Sequence, residues 1–125
     1  MKIVYNKIIP FGAYKIINLY GILFAKCEED DIKQKDLNHE GTHTYQMDDF
    51  VLGLSWLRLI GGTIFYLWYG IEFVFRFFQY GFDWHTAYKN ISFEREAFAN
   101  QYDDTYLANR KRFAFVDYIV EEDEE

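Results

Sequence analysis

Two histidines and a glutamate stand in a spacing that could bind a metal ion and use it. They belong to His39-Glu40-Gly41-Thr42-His43, an HExxH motif. On an α-helix, His39 and His43 lie one turn apart on one side, where both imidazoles can bind the same Zn²⁺ ion. Glu40 projects beside them and can take a proton from a water molecule on the metal. The motif therefore predicts a catalytic site with Zn²⁺ as its cofactor and Glu40 as general base; the alternative is a surface helix with two solvated histidines.

A catalytic zinc ion needs a third protein ligand and an open coordination position. Downstream, Ala87, Ile91, Glu94, Phe98 and Gln101 recur at helical spacing and predict one helix face. Glu94 lies in the apolar part of this face, where a carboxylate is costly to bury unless it is paired or binds a cation. We therefore predict Glu94 as the third metal ligand; an ion pair with a basic residue is the alternative.

Two further residues are candidates for catalysis beside Glu40. His85 and Tyr88 could each donate a hydrogen bond to a developing oxyanion. His85 is also the rival to Glu94 as a metal ligand, provided that it lies in a loop before the helix. The alternatives are a surface or capping histidine and a packed tyrosine with a satisfied hydroxyl.

Two more polar residues are predicted to lie near the ligands without binding the metal. Gln46 lies about one turn beyond His43 on the same side of the helix, so we expect it to support that imidazole. Glu96 projects about 200° away from Glu94 around the helix axis, so the two carboxylates cannot point the same way. We predict that Glu96 is either solvated or a supporting residue behind the ligands.

The elements that would position these residues predict an α+β fold. Residues 1–26 are rich in Ile, Val and Tyr and indicate a small two-stranded β unit, with Gly21 as a bulge or a point of close approach. The acidic residues 28–31 favour the start of a helix that runs from about Ile32 to beyond Phe50 and carries the HExxH motif. We predict a single, mainly helical domain over residues 1–120.

Residues 51–81 form the most apolar part of the chain. Their only charged residues, Arg58, Glu72 and Arg76, fall within roughly 40° of one another on a helical wheel, with Tyr69 nearby. Glu72 and Arg76 are spaced for an ion pair one turn apart.

The same stretch predicts two helices rather than one. Gly61-Gly62 offers a break, with a second helix from about Thr63 to Tyr80. The uncharged run from Leu59 to Ile71 has 13 residues, fewer than the ~18 to 20 that cross a bilayer. We therefore expect a core helix or, alternatively, a helix at a membrane interface, which the Tyr and Trp content also favours.

Charge and cysteine content restrict the function classes. The net charge is −7, and the last five residues, all acidic, predict a disordered tail over 121–125. The basic run Arg110-Lys111-Arg112 is too small for a nucleic-acid interface, so we expect no nucleic-acid partner.

A single cysteine, Cys27, allows no internal disulfide, and the first residues show no secretory pattern. These features predict a cytoplasmic protein, either free or associated with a membrane surface.

The motif pair resembles that of a known group of enzymes. HExxH at 39–43 followed by Glu94-Arg95-Glu96-Ala97 looks like the gluzincin metallopeptidases, especially the minimal single-domain members and the membrane-linked CAAX-type proteases with an ExEAD-like motif. The chain is also similar to short HExxH proteins that share "NHExxH…Q" and "FEREAxAN". Phe98 departs from the ExEAD pattern, because it stands where that pattern has an aspartate that supports a ligating histidine.

The resemblance implies a zincin-like domain that hydrolyses peptide bonds, with the first glutamate of ExEA, here Glu94, as third ligand. It also implies a strand layer beside the HExxH helix, in which residues 18–26 would form an edge strand that binds an extended peptide or protein substrate. The alternative function is a non-catalytic membrane-associated or partner-binding module with a structural or vestigial zinc site. The oligomeric state stays open.

Overall fold

A three-stranded sheet and five α-helices make up residues 2–9 and 15–119, the part of the chain that the computed structural model describes. The strands are β1 (Ile3–Tyr5), β2 (Ile16–Leu19) and β3 (Ile22–Ala25). The helices are α1 (Gln34–Asp49), α2 (Arg58–Gln79), α3 (Trp84–Lys89), α4 (Ser92–Asn100) and α5 (Tyr106–Asn109), followed by a 3₁₀ helix at Ala114–Tyr118. The predicted α+β class is confirmed; the predicted acidic tail lies outside the described residues.

The sheet has the order β1-β3-β2, with β1 parallel and β2 antiparallel to β3. The sequence predicted two strands, but its second β-rich run forms a hairpin of two. Tyr20 and Gly21 connect β2 and β3 with φ angles of +54° and +87°. A two-residue hairpin loop of this type needs positive φ at both central positions, which glycine adopts readily. Gly21 is thus a turn residue and not a bulge. The alternative prediction, a point of close approach, is confirmed, because a Cβ atom on Gly21 would lie 2.6 Å from Arg58 Nη1.

The β unit packs on the HExxH helix, as the sequence predicts. The contact is made by Asn18 of β2, whose side-chain amide donates hydrogen bonds to the Glu40 carbonyl oxygen (2.7 Å) and to Thr44 Oγ1 (2.8 Å). The prediction that residues 18–26 form the edge strand is wrong, because β3 is paired on both sides. Among the described strands, β2 is the edge that lies beside α1.

α2 is one continuous helix, so the predicted break at Gly61-Gly62 is wrong. A Cβ atom on Gly61 would lie 2.2 Å from the Met47 carbonyl oxygen, and one on Gly62 would lie 2.5 Å from the Tyr20 ring. The two glycines therefore let α2 approach α1 and the hairpin closely; they do not end the helix. Their cost to helix stability, ~1 kcal/mol each, is offset by this packing.

α2 packs on the rest of the domain with the side that carries Phe65 together with Glu72 and Arg76, while much of its remaining apolar surface is exposed. Glu72 and Arg76 are buried and form the predicted ion pair, with Arg76 Nε 3.7 Å from a Glu72 carboxylate oxygen. The core-helix interpretation is therefore wrong for the exposed apolar surface. Within residues 2–9 and 15–119, no helix combines the length and the apolar character needed to cross a bilayer.

The core lies between α1, α2, α4 and the 3₁₀ helix. Its buried side chains are Met47, Phe65, Ile91, Phe93 and Phe115. Phe93 stacks obliquely between Phe65 and Phe115, with ring centroids 4.4 and 4.5 Å away. This aromatic cluster holds α4 against α1, and those two helices carry the candidate metal ligands.

Candidate metal centre

α1 and α4 bring the two histidines and Glu94 together in the interior. His39 Nε2 lies 2.9 Å and His43 Nε2 3.1 Å from the same oxygen, Oε1 of Glu94. All three side chains are buried. The sequence predicted this convergence from the HExxH spacing and from the position of Glu94 within an apolar helix face.

The three side chains fit a zinc ion in the chemistry and the spacing of their atoms. Zn²⁺ is bound by imidazole nitrogen and carboxylate oxygen at ~2.0 to 2.2 Å, which puts neighbouring ligand atoms of a tetrahedron about 3.3 Å apart. The Glu94 oxygen lies within a few tenths of an ångström of that separation from both imidazoles. His39, Glu40 and His43 also each offer an atom within 4.8 Å of the others.

The second nitrogen of each imidazole is held by a glutamine. His39 Nδ1 lies 3.0 Å from Oε1 of Gln101, and His43 Nδ1 lies 2.7 Å from Oε1 of Gln46. An amide oxygen can only accept, so Nδ1 of each neutral ring carries the proton and Nε2 keeps its lone pair. This is the tautomer that a metal bound at Nε2 requires.

Gln101 orients the His39 ring, a role for which the sequence predicted no residue. The ring of Phe98 packs edge-on against His39, with the centroids 4.5 Å apart. At this position the ExEAD pattern has an aspartate, so here an aromatic ring contacts the imidazole instead of a carboxylate. The hydrogen bond comes instead from Gln101, three residues further along. Gln101 belongs to the helix face that carries Glu94, and this shared face was the signal that could have identified it.

Glu96 points away from Glu94, as predicted, but it is not solvated. Its side chain is completely buried and accepts a 3.0 Å hydrogen bond from Nε2 of Gln46. Arg110 binds the other side of Glu96 at 2.6 Å and also pairs with Asp49 at 2.8 Å. A chain of contacts thus runs from Arg110 through Glu96 and Gln46 to His43, and it fixes the orientation of that ring.

Tyr69 of α2 completes the environment of Glu94. Its hydroxyl donates a 2.7 Å hydrogen bond to Oε2, the carboxylate oxygen that does not face the imidazoles. Burial, followed by the nearby negative charge of Glu94, raises the pKa of Tyr69 well above its ordinary value, so the tyrosine stays a neutral donor. The sequence predicted that Tyr69 lies near the charged residues of α2, but it predicted no hydrogen-bond partner for the hydroxyl.

The ligand cluster is strongly coupled in its protonation. Burial alone would lower the pKa of His43, but the Glu94 carboxylate outweighs it and raises that pKa to about 9. For Glu94, burial opposes ionisation, yet the charge of His43 and the hydrogen bonds from both imidazoles hold its pKa well below the usual range. Without a metal, these two shifts favour a protonated His43 paired with an ionised Glu94.

Glu40 lines a cleft that also reaches His43 and Glu94. One of its carboxylate oxygens is 3.8 Å from His39 Nε2. Burial raises the pKa of Glu40, and the two imidazoles counteract part of this rise. A carboxylate with a raised pKa beside a metal is suited to accept and return a proton near neutral pH.

The cleft has a volume of about 460 Å³ and is walled mainly by aromatic side chains of α2 and α3 and by β2. Tyr88 lines it together with Glu40 and Glu94, so the structure brings this predicted residue to the site. His85 is exposed and does not line the cleft. The structure does not bring it to the imidazole pair, because it lies in the first turn of α3 on the solvent side.

Comparison with known proteins gives no match for this chain among protein-family models, curated proteins or solved structures. The likeness to the gluzincins therefore rests on the two motifs alone.

Proposed function

We propose that this protein is a zinc-dependent peptidase with His39, His43 and Glu94 as metal ligands. The observation that carries the proposal is the meeting of two imidazole nitrogens with one carboxylate oxygen, 2.9 and 3.1 Å away, inside the domain. Burying a carboxylate among two imidazoles without solvent is expensive unless charges balance. A divalent cation bound to these three side chains would use both imidazole nitrogens and the carboxylate oxygen at once.

The chemistry divides between the ion and the chain. Zn²⁺ supplies a Lewis acid that lowers the pKa of a bound water molecule to near neutrality. Glu40 takes the proton of the attacking water and later passes it to the leaving amine. Tyr88, which lines the same cleft, is the candidate to donate a hydrogen bond to the developing oxyanion; His85 has no role in this proposal.

The substrate in this proposal is an extended peptide or protein segment. Ile16, Ile17 and Asn18 of β2 form one wall of the cleft, and β2 is an edge strand within the described sheet. An extended segment can add to such an edge by main-chain hydrogen bonds. The aromatic walls favour apolar side chains beside the scissile bond. A reducing compartment such as the cytoplasm suits the free thiol of Cys27.

The first experiment is metal analysis of the purified chain. We expect about one zinc ion per chain for the wild type, as one complete ligand set requires. The variant His39→Ala should lose the ion, whereas His85→Ala, a change of an exposed histidine outside the cleft, should keep it. A wild type without stoichiometric zinc, or equal zinc in both variants, would end the proposal.

The second experiment separates an enzyme from a protein with a structural zinc site. Glu40 is not among the three proposed ligands, so Glu40→Gln should keep the zinc but lose at least ~10²-fold in peptide hydrolysis, the contribution of a general base. Cleavage of a peptide library by the wild type and not by Glu40→Gln is the expected result. Zinc binding without any difference between the two proteins would favour the non-catalytic alternative.

A further inference from the structure

The outward side of α2 presents an apolar surface to solvent. Ile60, Ile64, Leu67, Ile71, Val74 and Phe78 follow one another at spacings of three and four residues, and Leu59, Trp68 and Phe75 flank them. Ile71 is 73% exposed and Leu59 71%. With ~200 Å² for a fully exposed large side chain, this α2 outer face presents roughly 1,000 Å². The largest apolar patch on a typical monomer covers ~300 to 600 Å².

The charged side chains of α2 lie on its opposite side. Arg58 forms two 2.9 Å hydrogen bonds with Asp48. Glu72 accepts a 2.6 Å hydrogen bond from the Ser92 hydroxyl and pairs with Arg76. A surface helix of a globular domain normally turns its charged residues to solvent. In α2 these residues face inward together with Phe65, and the outer face carries no charged residue.

The width of the α2 outer face distinguishes between two binding partners, a second copy of the chain and a lipid surface. At 3.6 residues per turn, the outer face extends from Leu59 to Trp68 over about 180° of the helix. A second copy of the chain, paired helix to helix, would cover the narrower central seam and leave Leu59 and Phe75 in water. Soluble paired helices also carry charged residues beside that seam, and α2 has none there. A flat lipid surface covers the whole half-cylinder.

We propose that the α2 outer face binds the surface of a lipid bilayer, with the helix lying in the membrane plane. A helix with one broad apolar side buries that side at the boundary between headgroups and acyl chains. Trp56 just before α2 is 77% exposed and Trp84 just after it 60%. Tryptophan prefers the membrane–water boundary, so the apolar surface ends in interfacial side chains at both ends of the helix.

This orientation would set the cleft beside the lipid. Gly70, Phe73 and Trp84 line the cleft, while Ile71 and Val74, their neighbours along α2, belong to the outer face. Gly70 and Val74 lie one turn apart on the same side of α2, so one wall of the cleft adjoins the proposed membrane-binding surface. The inference goes beyond the proposed hydrolysis and does not depend on it, because none of the outer-face residues is a proposed ligand.

The experiment is flotation of the full-length chain with phosphatidylcholine vesicles, together with tryptophan fluorescence. The wild type should float with the vesicles and show a blue-shifted emission. Leu67→Glu and Ile71→Glu each put a charge into the proposed lipid contact and should weaken vesicle binding at least tenfold. Both positions are solvent-exposed, so circular dichroism and zinc content should stay at wild-type values.

Tyr102→Glu is the matched control. Tyr102 is 75% exposed and lies in the turn after α4, outside the α2 outer face. The backbone of this turn contacts α1, because the Gln101 carbonyl accepts a hydrogen bond from the Asn38 side chain. This variant should float like the wild type. A wild type that stays in the lipid-free fraction would overturn the proposal, and so would equal flotation of all variants. A lipid-free dimer that Leu67→Glu dissociates, without vesicle binding, would assign the face to a second copy.

Discussion

Gly61 and Gly70 lie in the same helix, yet a methyl group should have opposite effects at the two positions. In Gly61→Ala the new Cβ would lie 2.2 Å from the Met47 carbonyl oxygen, below the 3.0 Å that real Cβ atoms keep. That oxygen belongs to the backbone of α1 and cannot rotate away. At Gly70 no atom lies within 4 Å of the new carbon.

The magnitudes follow from overpacking and helix propensity. Exchanging glycine for alanine inside a helix gains ~1 kcal/mol, and Gly70→Ala should show most of that gain. At Gly61 the new methyl group would push α1 and α2 apart, which opposes this gain. Forcing extra atoms into a packed interface costs ~1 to 3 kcal/mol or more. With an overlap of nearly 1 Å against a rigid backbone, we expect Gly61→Ala to lose about 2 kcal/mol net.

Urea unfolding of both variants and the wild type measures these differences. For a domain of this size a change of 1 kcal/mol shifts Tm by roughly 4 °C, so a thermal scan should show Gly61→Ala about 8 °C below and Gly70→Ala a few degrees above the wild type. If both variants are equally stable, or if Gly61→Ala is the more stable one, the close approach of α1 and α2 is wrong.

Three further predictions concern the candidate metal centre and the network behind it. Zinc binding should release about one proton per chain between pH 7 and 8, because His43 has a pKa of about 9 without metal and must be neutral to bind zinc. The metal-free fold should lose stability as pH rises from about 6.5 through 9, since His43 binds its proton more tightly folded than unfolded. Arg110→Met should cost ~3 to 5 kcal/mol, because it leaves the buried carboxylates of Asp49 and Glu96 without their cation.

Calorimetry in buffers of different ionisation enthalpy counts the released protons. Zinc binding that takes up or releases no proton at pH 7.5 would contradict the His43–Glu94 ion pair. For the buried network, Arg112→Met is the control, because Arg112 is exposed two residues further along. Equal unfolding free energies for Arg110→Met and Arg112→Met would show that Arg110 contributes little to stability.

Local patterns predicted much of the metal centre. HExxH fixes the relation of His39 to His43 by helix geometry alone, and the apolar helix face around Glu94 identified the carboxylate that meets them. The opposite directions of Glu94 and Glu96 also follow from their spacing. Their roles as ligand and supporting residue remain predictions that metal binding must test.

Long-range contacts explain what the sequence did not predict. Tyr69, Gln101 and Arg110 are ordinary polar residues until the fold places them beside Glu94, His39 and Glu96, and periodicity contains no information on such partners. The glycine pair of α2 was misinterpreted for the same reason. A glycine that ends a helix and one that lets a neighbouring backbone approach are identical in sequence.

The chain of contacts from Arg110 to His43 has a consequence for the order in which the centre is built during synthesis. The imidazoles leave the ribosome early, Glu94 some fifty positions later, and the guanidinium that holds Glu96 in place later still. A nascent chain of which only α1 has emerged contains His39 and His43, but it does not yet contain Glu94, the carboxylate that pairs with them. The complete cluster, with Glu94 beside the imidazoles and Glu96 held by Arg110, therefore exists only after the segment around residue 110 has emerged and docked.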